Sequence, residues 1–311
     1  MLLEIAFFTW SSLFNLIKPI SSGKFQIAQM PSAQTLLLTT LTMLAFAGNS
    51  VLCRIALRET GIDAASFTTI RLASGAVVLW LIVRGFRRAQ AGGGSWMSAL
   101  MLFAYAAGFS FAYLSLTTAT GALLLFGAVQ ATMICWGLWR GERFGAWQLV
   151  GLALAVGGLV GLLLPGLSAP PLGGAALMLM AGAAWGVYSI RGKGAGDATR
   201  VTAGNFLRAV PFAVALSLLP LAEARLDAAG VAYALASGAI TSGLGYAIWY
   251  TVLPALKATS AATVQLSVPV IAALGGIVFL GEAVTLRFAL ASAAVLGGIA
   301  LVILRAPSRG G

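Results

Sequence analysis

Ten apolar runs of about 20 residues, joined by short links, leave this 311-residue chain few ways to fold. Hydrocarbon offers no partner to an unpaired N–H or C=O, so segments of that length cross a membrane as α-helices. The runs lie at 34–53, 64–83, 96–116, 120–139, 146–164, 172–190, 201–221, 229–251, 260–280 and 287–304. The links carry charge, Gly or Pro, as in Arg58-Glu59-Thr60-Gly61, Arg140-Gly141-Glu142-Arg143 and Leu164-Pro165-Gly166. Only 9% of residues are charged and mean hydropathy is +0.97. Soluble domains carry about 25% charged residues, so an all-α membrane protein is expected.

The second half repeats the first. Gly141-Glu142 with Gly157-Gly158 returns as Gly281-Glu282 with Gly297-Gly298, an offset of 140. Arg54, Arg71 and Tyr113 match Arg191, Arg208 and Tyr250 at an offset of 137. With five spans per half the copies lie upside down relative to each other, an arrangement common in secondary transporters. The expected organisation is a tail or leader at 1–33, a five-helix repeat at 34–164, a link at 165–171, a second repeat at 172–304 and a tail at 305–311.

Charge gives the orientation. With a cytoplasmic N-terminus, that side carries Lys18, Lys24, Arg84, Arg87, Arg88, Arg140, Arg143, Arg191, Lys193, Arg200, Lys257, Arg305 and Arg309. The other side carries Arg54, Arg58, Arg225 and Arg287, and Arg71 and Arg208 fall inside spans. The positive-inside rule then puts both termini in the cytoplasm. It also accounts for the net charge of +11 without a nucleic-acid partner, because the cations are scattered. Residues 2–17 are apolar but short, and Glu4 stands where a signal peptide is basic. Met30-Pro31 could be the true start, or the segment could lie along the interface.

All eight acidic residues, Glu4, Glu59, Asp63, Glu142, Asp197, Glu223, Asp227 and Glu282, fall in the tail, in links or at helix ends, and there is no His. Proton relays through mid-membrane carboxylates are therefore not expected, whereas Na⁺ held by backbone or hydroxyl oxygens stays open. Neither a His-based triad nor a P-loop can be built, so an enzyme is not expected; no metal or cofactor is expected either. Cys53 and Cys135 read as small buried packing residues. A channel would need a filter or a ring of charge, and none is visible.

Aromatic side chains are the more informative pattern. Tyr105, Phe109 and Tyr113 recur every four residues, and Tyr246, Trp249 and Tyr250 share a face of the eighth run. The 137 offset maps Phe109 onto Tyr246. Trp136, Trp185 and Tyr188 add to the set, which could line a cavity for a planar or apolar side chain or could simply be packing and interfacial belt. Asn49, Gln130, Asn205 and Gln265 need partners inside a span, and could bind a zwitterion or bond helix to helix. Arg71 and Arg208 could clamp a carboxylate, or could snorkel to the near interface. Pro269 is placed to kink the ninth helix, and the glycines of the fifth and tenth runs to allow close packing. Glu142 and Glu282 read as dipole partners of the helices that follow them.

Ten spans in two five-span halves, a Gly-Glu after the fourth span of each half, and Arg71 and Arg208 resemble the EamA type of the drug/metabolite transporter superfamily. The stretches Leu138-Trp139-Arg140-Gly141-Glu142-Arg143 and Phe279-Leu280-Gly281-Glu282 carry the likeness over residues 34–304. With Ala45-Phe46-Ala47-Gly48-Asn49-Ser50 in the first span, the chain looks most like the YddG-type exporters of aromatic amino acids. The resemblance implies a central cavity lined by both halves, peripheral fifth and tenth helices, and alternating access.

The expectation is thus ten transmembrane helices in two inverted five-helix repeats around a central cavity, forming a monomeric inner-membrane amino-acid exporter. The expected substrates are aromatic amino acids, with other neutral ones accepted. Its partners are the substrate and the lipid bilayer. Substrate contacts are expected from Asn49, Tyr105, Phe109, Gln130, Trp136, Trp185, Asn205, Tyr246, Trp249 and Gln265. The alternatives are an exporter of drugs or other small metabolites and, less favoured, a channel.

Overall fold

A computed structural model describes residues 32–86, 93–141, 143–166, 169–193, 196–218, 224–256 and 258–304. Among these residues the chain is all helical. The helices are α1 (Ser32–Glu59), α2 (Ala64–Phe86), α3 (Trp96–Ala112), α4 (Thr118–Trp139), α5 (Ala146–Leu163), α6 (Leu172–Gly192) and α7 (Ala198–Ser217). The eighth span is compound, with α8 (Ala228–Leu235), a π-helical segment (Ala236–Leu244) and α9 (Gly245–Val252). The ninth breaks into α10 (Ala258–Gln265) and α11 (Ser267–Leu280), and α12 (Leu286–Leu304) is the tenth.

Eight of the ten spans are long and apolar enough to cross a membrane. Of the remaining two, α3 is apolar but has 17 residues. The other, α7, carries Arg200, Asn205, Arg208 and Pro211. The first run grows from the expected 34–53 to Ser32–Glu59, because its last turns hold Arg54 among protein partners where lipid would not. The ninth breaks at Leu266, three residues before Pro269, whose missing N–H leaves the carbonyl of Gln265 without its helical donor.

The repeated glycines have separate jobs. Gly141 and Gly281 take φ of +88° and +62°, the left-handed region that ends a helix at little cost for glycine. Gly158 and Gly298 sit where α5 and α12 pack along each other. A Cβ on Gly298 would strike the backbone of Gly151, and one on Gly158 would meet Ala291 and Ala294, while Gly157 and Gly297 face open space.

Packing sets the inner helices. The mates α2 and α7 pack on each other, and so do the fourth and ninth spans. The third packs on the sixth, and the eighth on the first. Helices α2 and α7 run in opposite directions. At the start of α2, Asp63 accepts from the Arg225 N–H beyond the end of α7 at 2.8 Å. Past the end of α2, the Gly93 carbonyl accepts from Arg208 of α7 at 2.6 Å. One expectation is corrected, since Cys53 is buried but Cys135 is exposed on the outer surface of α4.

Glu282 departs from its expected role. It precedes α12 by several residues and instead accepts from the Thr118 N–H at 2.8 Å, at the start of α4, while its other oxygen faces Arg54. It therefore caps a helix of the other half. Glu142 lies outside the described residues, as do Lys18, Lys24, Arg87, Arg88, Lys257, Arg305, Arg309 and the 1–31 segment.

Candidate functional site

Side chains from five spans converge on a small central hollow. From α1 come Phe46, Asn49 and Ser50; from α3, Tyr105 and Phe109; from α4, Leu125 and Phe126. Trp185 enters from α6, Thr241 and Ser242 from the π-helical segment, and Tyr246 from α9. Both halves of the sequence thus contribute walls.

The rings lie close together. Trp185 stacks on Tyr105 with centroids 5.3 Å apart and planes 23° from parallel, and meets Phe126 and Phe46 edge-on at 5.4 and 6.2 Å. Phe46 also touches Tyr246 and Trp249, at 5.6 and 6.1 Å. Such pairs add about 0.5–1.5 kcal/mol each beyond burial, so the cluster closes on itself. The hollow left is about 10 Å³, room for one water. Small-molecule pockets run to about 300 Å³ or more, so an organic molecule can enter only when these rings part.

Polar groups are few and connected. Asn49 Oδ1 accepts from the Ser237 hydroxyl at 2.6 Å and from Thr241 at 3.3 Å, both on the π-helical segment. Its Nδ2 donates to the Tyr105 hydroxyl at 3.4 Å, which also accepts from Arg71 Nη2 at 2.9 Å. The π geometry is what brings Ser237, Thr241 and Ser242 to one face, and such segments recur at functional sites.

Five of the ten expected contact residues line the hollow: Asn49, Tyr105, Phe109, Trp185 and Tyr246. Trp249 lies one layer behind, edge-on to Phe46. The other four are elsewhere. Asn205 accepts from the Ser95 N–H at 2.8 Å near the start of α3 and donates to Tyr188, bonding helix to link. Trp136 is 41% exposed beside Trp139 and Arg140 on the outer surface. Gln130 is buried in α4 away from the hollow, and Gln265 ends α10 at the break in the ninth span. Phe46, Ser50, Leu125, Phe126, Thr241 and Ser242 also line the hollow, beyond the contacts expected from the sequence. A larger hollow of about 810 Å³ runs between α5 and α12, but exposed apolar side chains such as Leu286 and Leu290 line it, so it belongs to the lipid-facing surface.

Known proteins fit this picture. The EamA-like transporter family matches residues 172–304. An uncharacterized protein of Pseudomonas aeruginosa, PA1977, is 59% identical over 275 residues, covering 88% of this chain and 96% of its own length. An uncharacterized transporter of Archaeoglobus fulgidus is 29% identical over 81% of this chain and 91% of its own length. The threonine/homoserine exporter RhtA of Salmonella typhimurium is 32% identical over 51% of this chain and 57% of its own length. A crystal structure of a protein 18% identical shares the fold, with a TM-score of 0.61 over 88% of this chain and 98% of its own. With its membrane-spanning helices and a central hollow walled by both halves, the chain matches the EamA-like transporter family over its second half, residues 172–304.

Proposed function

We propose that this protein exports amino acids across the bacterial inner membrane, with aromatic ones preferred and both termini in the cytoplasm. A single chain would work by alternating access between two inverted halves, 34–164 and 172–304. The observation that carries the reading is the ring cluster of Tyr105 and Trp185 with Phe46, Phe109, Phe126 and Tyr246 around the central hollow. A ring on the substrate can replace any of these ring–ring contacts once the cluster opens. The antiparallel α2 and α7 support the inverted repeat. The relative named as a threonine/homoserine exporter supports amino acids as the class. It also favours a second reading, in which small polar amino acids or other metabolites are the cargo.

Proteoliposome counterflow with labelled Phe, Trp and Thr tests the reading. Phe and Trp should exchange in preference to Thr, and Trp185→Ala should weaken Phe exchange about tenfold, the loss of a stacked ring. Preferred exchange of Thr would replace the aromatic reading, and conductance without saturation would replace the transporter. An imposed pH gradient should leave the flux unchanged, because the described carboxylates lie at helix ends and links.

A further inference from the structure

Arg71 and Arg208 are equivalent by the repeat, yet the fold treats them differently. Arg208 gives Nη1 to the carbonyls of Gly93 and Gly204, at 2.6 and 3.0 Å, and rests on Trp96. Its requirements are met by backbone near one end of the bundle. Arg71 is 2% exposed, and only its Nη2 is bonded, to the Tyr105 hydroxyl. Its Nε and Nη1 are buried without a hydrogen-bond partner. The guanidinium lies over the rings of Tyr105 and Phe109, 5.2 and 4.8 Å from their centroids, and both rings wall the hollow. Among the described residues no acidic side chain pairs with it.

A buried guanidinium with free N–H groups is costly, and replacement by an apolar residue would remove that cost if packing were its only role. Snorkelling does not explain it, because the head is inside the protein. We propose that Arg71 is the anchor for the carboxylate of the transported molecule, and that the site selects its cargo by that anion more than by an ammonium. This rests on the reading of the hollow as the substrate site.

The chemistry is matched. Beside the bond to Tyr105, Nε, Nη1 and the second hydrogen of Nη2 leave four N–H donors, and two that share an edge of the guanidinium can bond both oxygens of a carboxylate. The Tyr105 hydroxyl already accepts twice, from Arg71 and Asn49, so its own hydrogen is left to donate to an incoming oxygen. A monoanion would neutralise the buried charge that lies behind the Tyr105 and Phe109 rings, reached from the hollow once those rings part. An ammonium finds only neutral acceptors and ring faces there, Asn49 Oδ1 and the hydroxyls around it among them. Loss of a charge-assisted pair of hydrogen bonds corresponds to about 10- to 100-fold in affinity.

The test is ligand-induced thermal stabilisation of the full-length protein in detergent. The ligands are L-phenylalanine, 3-phenylpropionate and L-threonine, each set against its counterpart without a carboxylate: phenylalaninamide, phenethylamine and threoninol. At least one acid should bind about 10- to 100-fold tighter than its counterpart. 3-Phenylpropionate should bind more tightly than phenethylamine. Arg71→Gln should erase the difference, Arg71→Lys should recover part of it, and Arg208→Gln should keep it. The proposal is overturned if amides and amines bind as well as acids, if no acid binds, or if Arg71→Gln keeps the preference. Because the acid–amide comparison needs no mutation, a variant that fails to fold does not decide the matter. If threonine binds and phenylalanine does not, the aromatic reading fails while Arg71 stands. If acids bind through Arg71 but no amino acid exchanges in vesicles, the transport reading fails alone.

Discussion

Arg54 and Glu282, 228 positions apart, meet with Nε 3.3 Å from Oε1, both largely buried. The same guanidinium donates to the Tyr113 carbonyl at 2.6 Å, and the other carboxylate oxygen accepts from the Thr118 N–H at 2.8 Å. One pair of side chains therefore fastens α1, the link between α3 and α4, and the link before α12. All three lie at the end where the charge pattern puts the outside. A transporter that opens outward would have to part these elements.

Glu282→Ala leaves a buried guanidinium with carbonyl partners only and strips the first N–H of α4. The expected cost is about 2–4 kcal/mol. Glu282→Gln keeps an acceptor for Thr118 and should lose less. Arg54→Ala with Glu282→Ala should be less damaging than the sum of the two single changes. Thermal unfolding in detergent reads the four variants against the wild type; an alanine variant as stable as the wild type would show that the pair fastens nothing.

Asp63 makes the same end acid-sensitive. Burial would raise its pKa, but hydrogen bonds from Ser66 and from the Arg225 and Ala65 N–H groups outweigh burial and hold the carboxyl below its usual value. A folded pKa below the unfolded one, which is about 3.9, gives stability that is present above that value and is lost as pH falls through the folded pKa. Asp63→Asn should thus lower the melting temperature at neutral pH, and the gap to wild type should narrow below about pH 4. Melting curves from pH 3 to 7 test this, and a gap that stays constant across the range would contradict it.

Much of the fold was legible because the membrane permits so little else. Apolar run length located the ten spans, and the repeat offset paired α2 with α7. The helical spacing of Tyr105, Phe109 and Tyr113 puts the three on one face, of which Tyr105 and Phe109 wall the hollow while Tyr113 caps the helix end. That period does not reach Ser242 on the eighth span: across Ala236–Leu244 the chain winds with i→i+5 bonds, which put Ser242 on the face of Ser237 and Thr241, where α-helical spacing would turn it away. The repeat also could not separate Arg71 from Arg208, since their difference lies in what other spans bring beside them. Asn205 has the same chemistry as Asn49, and only the neighbouring Ser95 N–H shows that it bonds a link.

Gly238 tests how tightly the π-helical segment is seated. A Cβ there would strike the Ser74 hydroxyl and the backbone carbonyl of Arg71. The side chain can turn away, but the carbonyl cannot. Gly238→Ala should cost about 1–3 kcal/mol, and Ser74→Gly should not rescue it. Full rescue would mean that the side chain alone sets the fit. Folded yield by size-exclusion chromatography and melting temperature together give the answer.

Asn49 is the tie between α1 and that segment. Asn49→Ala leaves the Ser237 hydroxyl without its 2.6 Å acceptor, whereas Thr241 keeps a second acceptor in the Ser237 carbonyl at 2.7 Å. The loss should therefore be shared chiefly with Ser237 and little with Thr241. A double-mutant cycle of Asn49→Ala with Ser237→Ala should return a coupling of about 1 kcal/mol, and the cycle with Thr241→Val appreciably less. Because Asn49 also donates to Tyr105, its loss should loosen the hydroxyl that Arg71 holds and weaken ligand binding, which Ser237→Ala alone should do less. Unfolding by SDS titration measures the coupling, and strict additivity in the Ser237 cycle would remove the tie from the site.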